Sequence, residues 1–251
     1  DAIQEAYHEK LNIQSLKLTD IDEVLGCNTL EELQTLERAY HLSVAKKHLK
    51  KGVLFANIER VTFRGDVSIE RGAFIDENVI FEGEVFIGSG AKIGPGCIVH
   101  NSSIGKNVEL LAYTLVEESV LENNAKAGPF AHVNVQTKMD EGAEIGNFVE
   151  VKRSHIGANS KAKHLTYIGD AKIGKGVNIG AGTIFCNYDG KNKNQTIIED
   201  GTFIGSNSSL VAPLRLGEGS YTGAGSVITK NIPKGKLGVG RGKQVNLNKK
   251  K

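Results

Sequence analysis

A bulky apolar residue returns every six positions along most of this 251-residue chain. Phe63, Ile69, Ile75, Phe81, Ile87 and Ile93 keep the interval, as do Ile104 and Leu110, then Leu115, Leu121, Ala127 and Val133, and later Ile198, Ile204, Leu210, Leu216, Thr222 and Ile228. An interval of six matches neither the 3.6-residue period of an amphipathic helix nor a simple alternating strand, so each unit reads as one short strand plus a turn. Stacked units of this kind predict an all-β solenoid, a parallel β-helix of hexapeptide repeats. Three units close one coil of roughly 18 residues, and the region from 63 to 229 has room for about nine coils.

The positions between the apolar residues refine the picture. Glycine follows the apolar residue at Gly88, Gly94, Gly105, Gly146, Gly157, Gly174, Gly180, Gly205 and Gly217. A small or β-branched residue stands three further on, as at Ala91, Cys97, Val108, Ser160, Val177 and Ser208. The apolar side chain is expected to fill the interior, the glycine to permit a tight corner, and the small residue to pack inside near that corner.

Ahead of the repeat the pattern becomes helical. Thr29 and Glu32 fit a capping box, Leu30, Leu33, Leu36, Tyr40 and Val44 form an apolar stripe, and Gly52 is placed to stop the helix. Residues 29–52 therefore read as a linker helix and 53–251 as the β-helix with a C-terminal tail. Residues 1–28 are too short for a core of their own and read as the end of a domain whose body lies outside this chain.

Composition adds bounds. With 31 Lys and Arg against 29 Asp and Glu, the formal net charge of +2 gives no general attraction to nucleic acid or membrane. Three cysteines, Cys27, Cys97 and Cys186, are few and unpatterned, as expected of free thiols in a reducing compartment. No signal peptide or long apolar run is evident, so a cytoplasmic protein is expected. The tail Lys249-Lys250-Lys251 reads as a solvated end.

The repeat is interrupted between Ile179 and Ile198, where residues 180–196, Gly-Ala-Gly-Thr-Ile-Phe-Cys-Asn-Tyr-Asp-Gly-Lys-Asn-Lys-Asn-Gln-Thr, must leave the solenoid as a loop. Upstream, Lys163-His164-Leu165-Thr166-Tyr167-Ile168-Gly169-Asp170 also disturbs the six-residue spacing. Irregular coils in a regular array mark the candidate site. Together with Asn147-Phe148-Val149-Glu150-Val151-Lys152 and Asn178-Ile179-Gly180-Ala181-Gly182-Thr183, these stretches resemble the acetyltransferase domain of the bacterial bifunctional N-acetylglucosamine-1-phosphate uridyltransferase/glucosamine-1-phosphate N-acetyltransferase family. Glu23-Val24-Leu25-Gly26-Cys27-Asn28 resembles the end of that family's uridyltransferase domain.

The resemblance implies a left-handed β-helix, a homotrimer with sites where neighbouring prisms meet, and acetyl-CoA-dependent N-acetylation of glucosamine 1-phosphate in the supply of cell-wall precursors. It places His164 as catalytic base. Lys152, Tyr167 and Asn178 match positions that bind the amino-sugar phosphate; Ala181, Asn187, Tyr188, Ser206, Ala224 and Arg241 match positions that contact acetyl-CoA. No metal is expected for acetyl transfer. The residue types suit the reaction, because a free amine attacks a thioester while a neutral imidazole takes its proton, and Lys and Arg supply charge for phosphates.

Two departures accompany the resemblance. Asn134-Val135 stands where the family usually has Arg-Pro, and that arginine binds the acceptor's phosphate. No Gly-rich nucleotide loop is present for uridyl transfer, so this activity is expected to be absent and Asn28, which matches a residue of the missing Mg²⁺ site, to be vestigial. Other readings stay open. A hexapeptide enzyme with another amino-sugar acceptor, a metal-dependent one using His132, His155 and His164, and a non-catalytic trimeric scaffold all share the repeat. Cys186 is expected to be an inward, structural thiol.

Overall fold

The computed structural model describes residues 2–18 and 24–247. Two compact units divide at Ser43/Val44. In the first, Ala2–His8 forms a short helix with no buried residue. The second begins within helix Leu30–Lys50 and contains the whole solenoid. Glu23 and Asp1, from the expected domain remnant, lie outside the described residues.

The capping box forms as expected. The Glu32 backbone N–H donates to Thr29 Oγ1 at 3.1 Å, and Glu32 Oε2 accepts from the backbone N–H of Thr29 (3.0 Å) and Asn28 (2.7 Å). Those backbone donors hold the Glu32 carboxyl below its ordinary pKa. Gly52 ends the helix at φ +91°. The expected stripe is not a buried face: Leu30, Leu33 and Tyr40 are exposed, Leu36 and Val44 are half-buried, and the helix buries Ala45 and His48 instead. Core contact begins only in its last turns.

The repeat region folds as a left-handed parallel β-helix of about ten turns. Its three faces are sheets of eleven, ten and nine strands, parallel throughout, each strand pairing with those one coil before and after. The first face runs from Leu54–Phe55 to Leu237–Gly238, the second from Val61–Arg64 to Val227–Ile228, and the third from Val67–Ile69 to Leu214–Leu216. Every residue of the six-residue beat is buried except Leu115. There Val116 takes the interior place, aligned with Val99 and Val133, because Leu110 to Val116 keeps the interval of six and the short step falls afterwards, from Val116 to Leu121.

Similar five-residue steps recur where the second face turns into the third. The corner residues are Asn101, Glu118, Arg153 and Asp170, all with φ between 42° and 51°. One residue fewer at this corner shortens a coil from 18 to 17, so Val61 aligns with Val79 but Glu150 with Tyr167. The repeat glycines have a different role from the one expected. Gly146 and Gly180 are not in the left-handed region; a Cβ on Gly146 would overlap the Lys163 carbonyl, and one on Gly180 would stand 2.5 Å from Ser206 N. Close approach of the next coil, rather than backbone angle, requires glycine there.

Interior packing dominates the stability. A fully buried aliphatic or phenyl side chain contributes about 1.5–3 kcal/mol, and Phe63, Ile75, Phe81, Ile87, Ile93 and their successors form one continuous cluster. On the outer side of the first face, Lys92, Glu109 and Lys126 alternate in an ion-pair ladder at 3.3 and 2.7 Å, but exposed pairs contribute at most about 1 kcal/mol.

His48 closes the lower end of this interior. Its ring stacks on Phe63 with centroids 6.0 Å apart, and Nδ1 is buried without a partner among the described residues. Burial, then the Lys51 charge, pushes its pKa below the ordinary 6.5. The unfolded chain consequently binds the proton first as pH falls. Stability should be complete above about 6.5 and decline below it until the folded-state pKa is reached. Urea unfolding between pH 7 and 5 should show a steeper loss in the wild type than in His48→Leu; parallel curves would remove His48 as the cause.

Candidate active site

Coil stacking sorts the candidate residues into columns. His164 ends strand Lys161–His164 on the first face, in register with Asn147. The following residue, Leu165, turns the corner at φ +51°, and buried Thr166 secures it by donating from Oγ1 to the His164 carbonyl at 2.8 Å. Backbone bonds from Gly182 N to His164 O, Asn207 N to Ala181 O and Gly225 N to Ser206 O place Ala181, Ser206 and Ala224 one, two and three coils above His164 at the same corner. Arg241 completes the column, its Nη1 donating to the Ala224 carbonyl at 2.6 Å.

This column has one imidazole and a lane of minimal side chains. His164 is exposed, and its Nδ1 lies 2.6 Å from Asn147 Oδ1. With Nδ1–H donating to that oxygen, Nε2 carries the lone pair, and it has no partner among the described residues. Three strand spacings of about 4.8 Å separate His164 from Ala224, giving a lane of about 14 Å that ends at a guanidinium.

A second group gathers on the second face and its far corner. Lys152 is in register with Gly169, and its ammonium has no ion-pair or hydrogen-bond partner among the described residues. The absence of a side chain at Gly169 makes room for two others: a Cβ there would meet Tyr167 Oη at 2.5 Å and Asn187 Nδ2 at 2.6 Å. The inserted loop is shorter than the sequence suggests, because Ile184–Cys186 and Thr196–Ile198 stay in the sheets, and Asn187 opens it. Asn194 N donates to the Asn187 carbonyl at 2.7 Å and closes its neck, and Asp189 accepts from Lys191 N, Asn192 N and Asn194 Nδ2. Tyr188 projects from this loop, exposed, with its hydroxyl on Gly190 O at 2.8 Å.

Asn178 joins neither group. It points outward from the first face one coil above Lys161, where the Lys and Glu ladder ends and an outer row of Phe203 and Tyr221 begins. The three histidines of the metal reading do not converge within the chain: His132 faces Glu117 on the second face at 2.6 Å, His155 faces Asp140 on the third at 2.7 Å, and His164 holds its own corner. Cys186 is half-buried and outward, opposite in parity to buried Phe185, which corrects the expected inward thiol. Cys97 is the inward one, its thiol pushed up to about 11 by burial.

Asn134 also differs from a free phosphate contact. It is 9% exposed, its Nδ2 donates to Glu150 Oε1 at 3.2 Å, and its Oδ1 accepts from Val135 N at 2.8 Å. It lies one coil below Lys152, so the departure noted in sequence sits beside the unpaired lysine.

Residues 63–145 match the GMPPB C-terminal domain family, and residues 195–230 match the bacterial transferase hexapeptide family of six repeats. The bifunctional protein GlmU of Baumannia cicadellinicola subsp. Homalodisca coagulata is 46% identical over 244 residues, covering 97% of this chain and 52% of that protein. The GlmU of Marinobacter nauticus is 45% identical over 225 residues, covering 90% and 50%. By sequence the chain is similar to the GlmU proteins. It spans about half the length of these relatives. Among solved structures, the UDP-N-acetylglucosamine acyltransferase of Arabidopsis aligns over 73% of this chain and 68% of its own, at 21% identity and a TM-score of 0.45.

Several site residues escaped the sequence reading. Asn147 lies one 17-residue coil before His164, and Arg153, Asp170 and Asn187 are separated by the same interval. A coil counted at 18 conceals these partners; a count of 17 would have exposed them.

The Asn147 contact predicts the tautomer. Nitrogen NMR of the histidine rings should show neutral His164 protonated at Nδ1, and Asn147→Ala should move the proton towards Nε2. An unchanged ring spectrum in that variant would mean that Asn147 does not set the tautomer.

Proposed function

We propose that this chain transfers the acetyl group of acetyl-CoA to the amine of glucosamine 1-phosphate. The observation that carries this reading is the corner column: a histidine with Nδ1 engaged and Nε2 free, followed by a lane of Ala181, Ser206 and Ala224 that leads to Arg241. In this reading the donor lies along the lane, with its thioester at His164 and a CoA phosphate at Arg241. The acceptor amine attacks the thioester carbonyl as Nε2 removes its proton. The tetrahedral intermediate then expels the CoA thiolate, which takes the proton back from the imidazolium.

The acceptor is held by residues of two faces. Lys152 meets the sugar phosphate, Tyr167 supplies a hydroxyl and Asn178 an amide. His164 and Asn178 belong to the first face, whereas Lys152 and Tyr167 belong to the second. A neighbouring copy would bring the complementary residues together, and we place the complete sites between the prisms of a homotrimer. In the same reading residues 53–251 form the acetyltransferase domain and residues 1–28 continue from a uridyltransferase domain. The chain acts in the cytoplasm on the route to UDP-N-acetylglucosamine; no helix among the described residues is long and apolar enough to cross a membrane. A hexapeptide acyltransferase with a different amino-sugar acceptor is the second reading, and the Asn134 position favours testing it.

Thiol release from acetyl-CoA across a panel of amino sugars and their phosphates tests the reaction. Glucosamine 1-phosphate should be the best acceptor, His164→Ala should lower turnover by roughly 10²- to 10⁴-fold, and light scattering should give three times the chain mass. Full turnover in a folded His164→Ala protein would remove the base, and no thiol release with any acceptor would remove the activity.

The substitution Asn134→Arg tests how the acceptor's phosphate is held. A guanidinium can offer parallel charge-assisted bonds that an amide cannot, normally about 1.5–3 kcal/mol for a charged hydrogen bond. Glu150, which already accepts from Asn134, would compete for the new cation. The acceptor KM should therefore fall by no more than roughly tenfold. An unchanged KM would show that Glu150 retains the guanidinium or that Lys152 already satisfies the phosphate.

A further inference from the structure

Asp170 is an outward carboxylate that side chains of the coils above and below both engage, beside the second group of site residues. It occupies the corner after the second face at φ +51°. Arg153, one coil below, donates from Nε to Oδ1 at 2.7 Å and from Nη2 to Oδ2 at 2.9 Å. Asn187, one coil above, donates from Nδ2 to Oδ2 at 2.5 Å. The Arg153 fork, above all, holds the Asp170 carboxyl below its ordinary range, so it is ionised and can only accept.

That constraint fixes an amide which could otherwise point either way. With the amide reversed, Asn187 would set its own carbonyl oxygen against a carboxylate at hydrogen-bond distance. Asp170 therefore selects the orientation in which Nδ2 faces inward along the corner. The main-chain groups of Asn187 are also committed, N–H to Phe185 O at 2.9 Å and carbonyl to Asn194 N at 2.7 Å. Oδ1 is the one polar atom of this residue without a partner among the described residues, although the residue as a whole is 7% exposed.

We propose that Asp170 is a positioning residue for the acyl donor: through Nδ2 it turns Asn187 so that Oδ1 is presented to an amide N–H of the ligand. The proposal rests on the acetyl-CoA reading above, since the pantetheine arm of that donor carries such amide groups. In this arrangement Asn187, at the far corner of the second face, touches a donor lying along the lane of a neighbouring copy; Asp170 acts through it, and Arg153 holds Asp170. Gly169 leaves the space in which the Asn187 amide and the Tyr167 hydroxyl meet, so the same network borders the acceptor group.

Steady-state thiol release with each substrate varied in turn separates positioning from a merely structural role. Asp170→Asn can donate as well as accept and no longer selects one orientation. The acetyl-CoA KM should rise roughly tenfold, with smaller changes in kcat and in the glucosamine 1-phosphate KM. Asn187→Ala should show a similar rise, and the double variant should be no worse than Asn187→Ala alone, because Asp170 has nothing left to orient. Arg153→Lys, which keeps the cation but loses the fork, supplies a milder variant and should give an intermediate rise. An unmoved acetyl-CoA KM in Asp170→Asn and Arg153→Lys, or full additivity with Asn187→Ala, would overturn the proposal while leaving the acetyltransferase reading intact. A wild-type chain that releases no thiol would overturn both.

Discussion

The backbone ladder between successive coils is the constraint on which the rest of the structure depends. Parallel strands stand about 4.8 Å apart, and each residue must lie over its counterpart one coil earlier. This spacing leaves no room for a Cβ at Gly146 or Gly180, where the next coil crosses directly overhead. It also turns sequence separation into position in space. Asn147 and His164 are distant in the chain but adjacent in the sheet, as are Ala181 and Ser206 despite the inserted loop between them.

Inward and outward positions consequently answer to different demands. The interior is a continuous apolar column whose burial stabilises the coils, and its beat of six is conspicuous in the sequence. Outward side chains contribute little to stability and are free to change character from coil to coil. Along the first face they pass from alternating Lys and Glu to Asn178, then to stacked Phe203 and Tyr221 with centroids 5.7 Å apart. The periodicity that identifies the solenoid therefore carries no information about the chemistry on its surface.

This division explains what could be read without coordinates. The parallel β-helix, its small inward residues and the cap at Thr29 follow from local patterns, each governed by packing or by one turn of backbone. Leu115 misled because a five-residue corner step is invisible until the strands are aligned, and the interior residue is Val116. The helix stripe misled for a similar reason: an apolar period states which residues share a face, and only the fold states that Ala45 and His48 reach the core. His164 and the lane above it were legible through motif resemblance. The hydrogen-bond partners Asn147, Arg153 and Asp170 were not, because the 17-residue coil that joins them to the site had been counted at 18.

A different set of left-handed corners, where the first face turns into the second, makes the site rigid. Non-glycine residues in the left-handed region cost roughly 1–2 kcal/mol each, yet Tyr113, Phe130, Phe148 and Leu165 all occupy it on successive coils beside the His164 column. Three of them stack ring on ring, with centroids 5.3 and 5.5 Å apart, which offsets part of that cost. Leu165 then turns the chain immediately after His164, while the buried Thr166 hydroxyl holds the His164 carbonyl. A histidine at the end of a flexible loop would sample many directions. Here its backbone is held on one side by the ladder to Asn147 and on the other by the Leu165 corner and the Thr166 hydroxyl, so the ring can be aimed by a single side-chain contact.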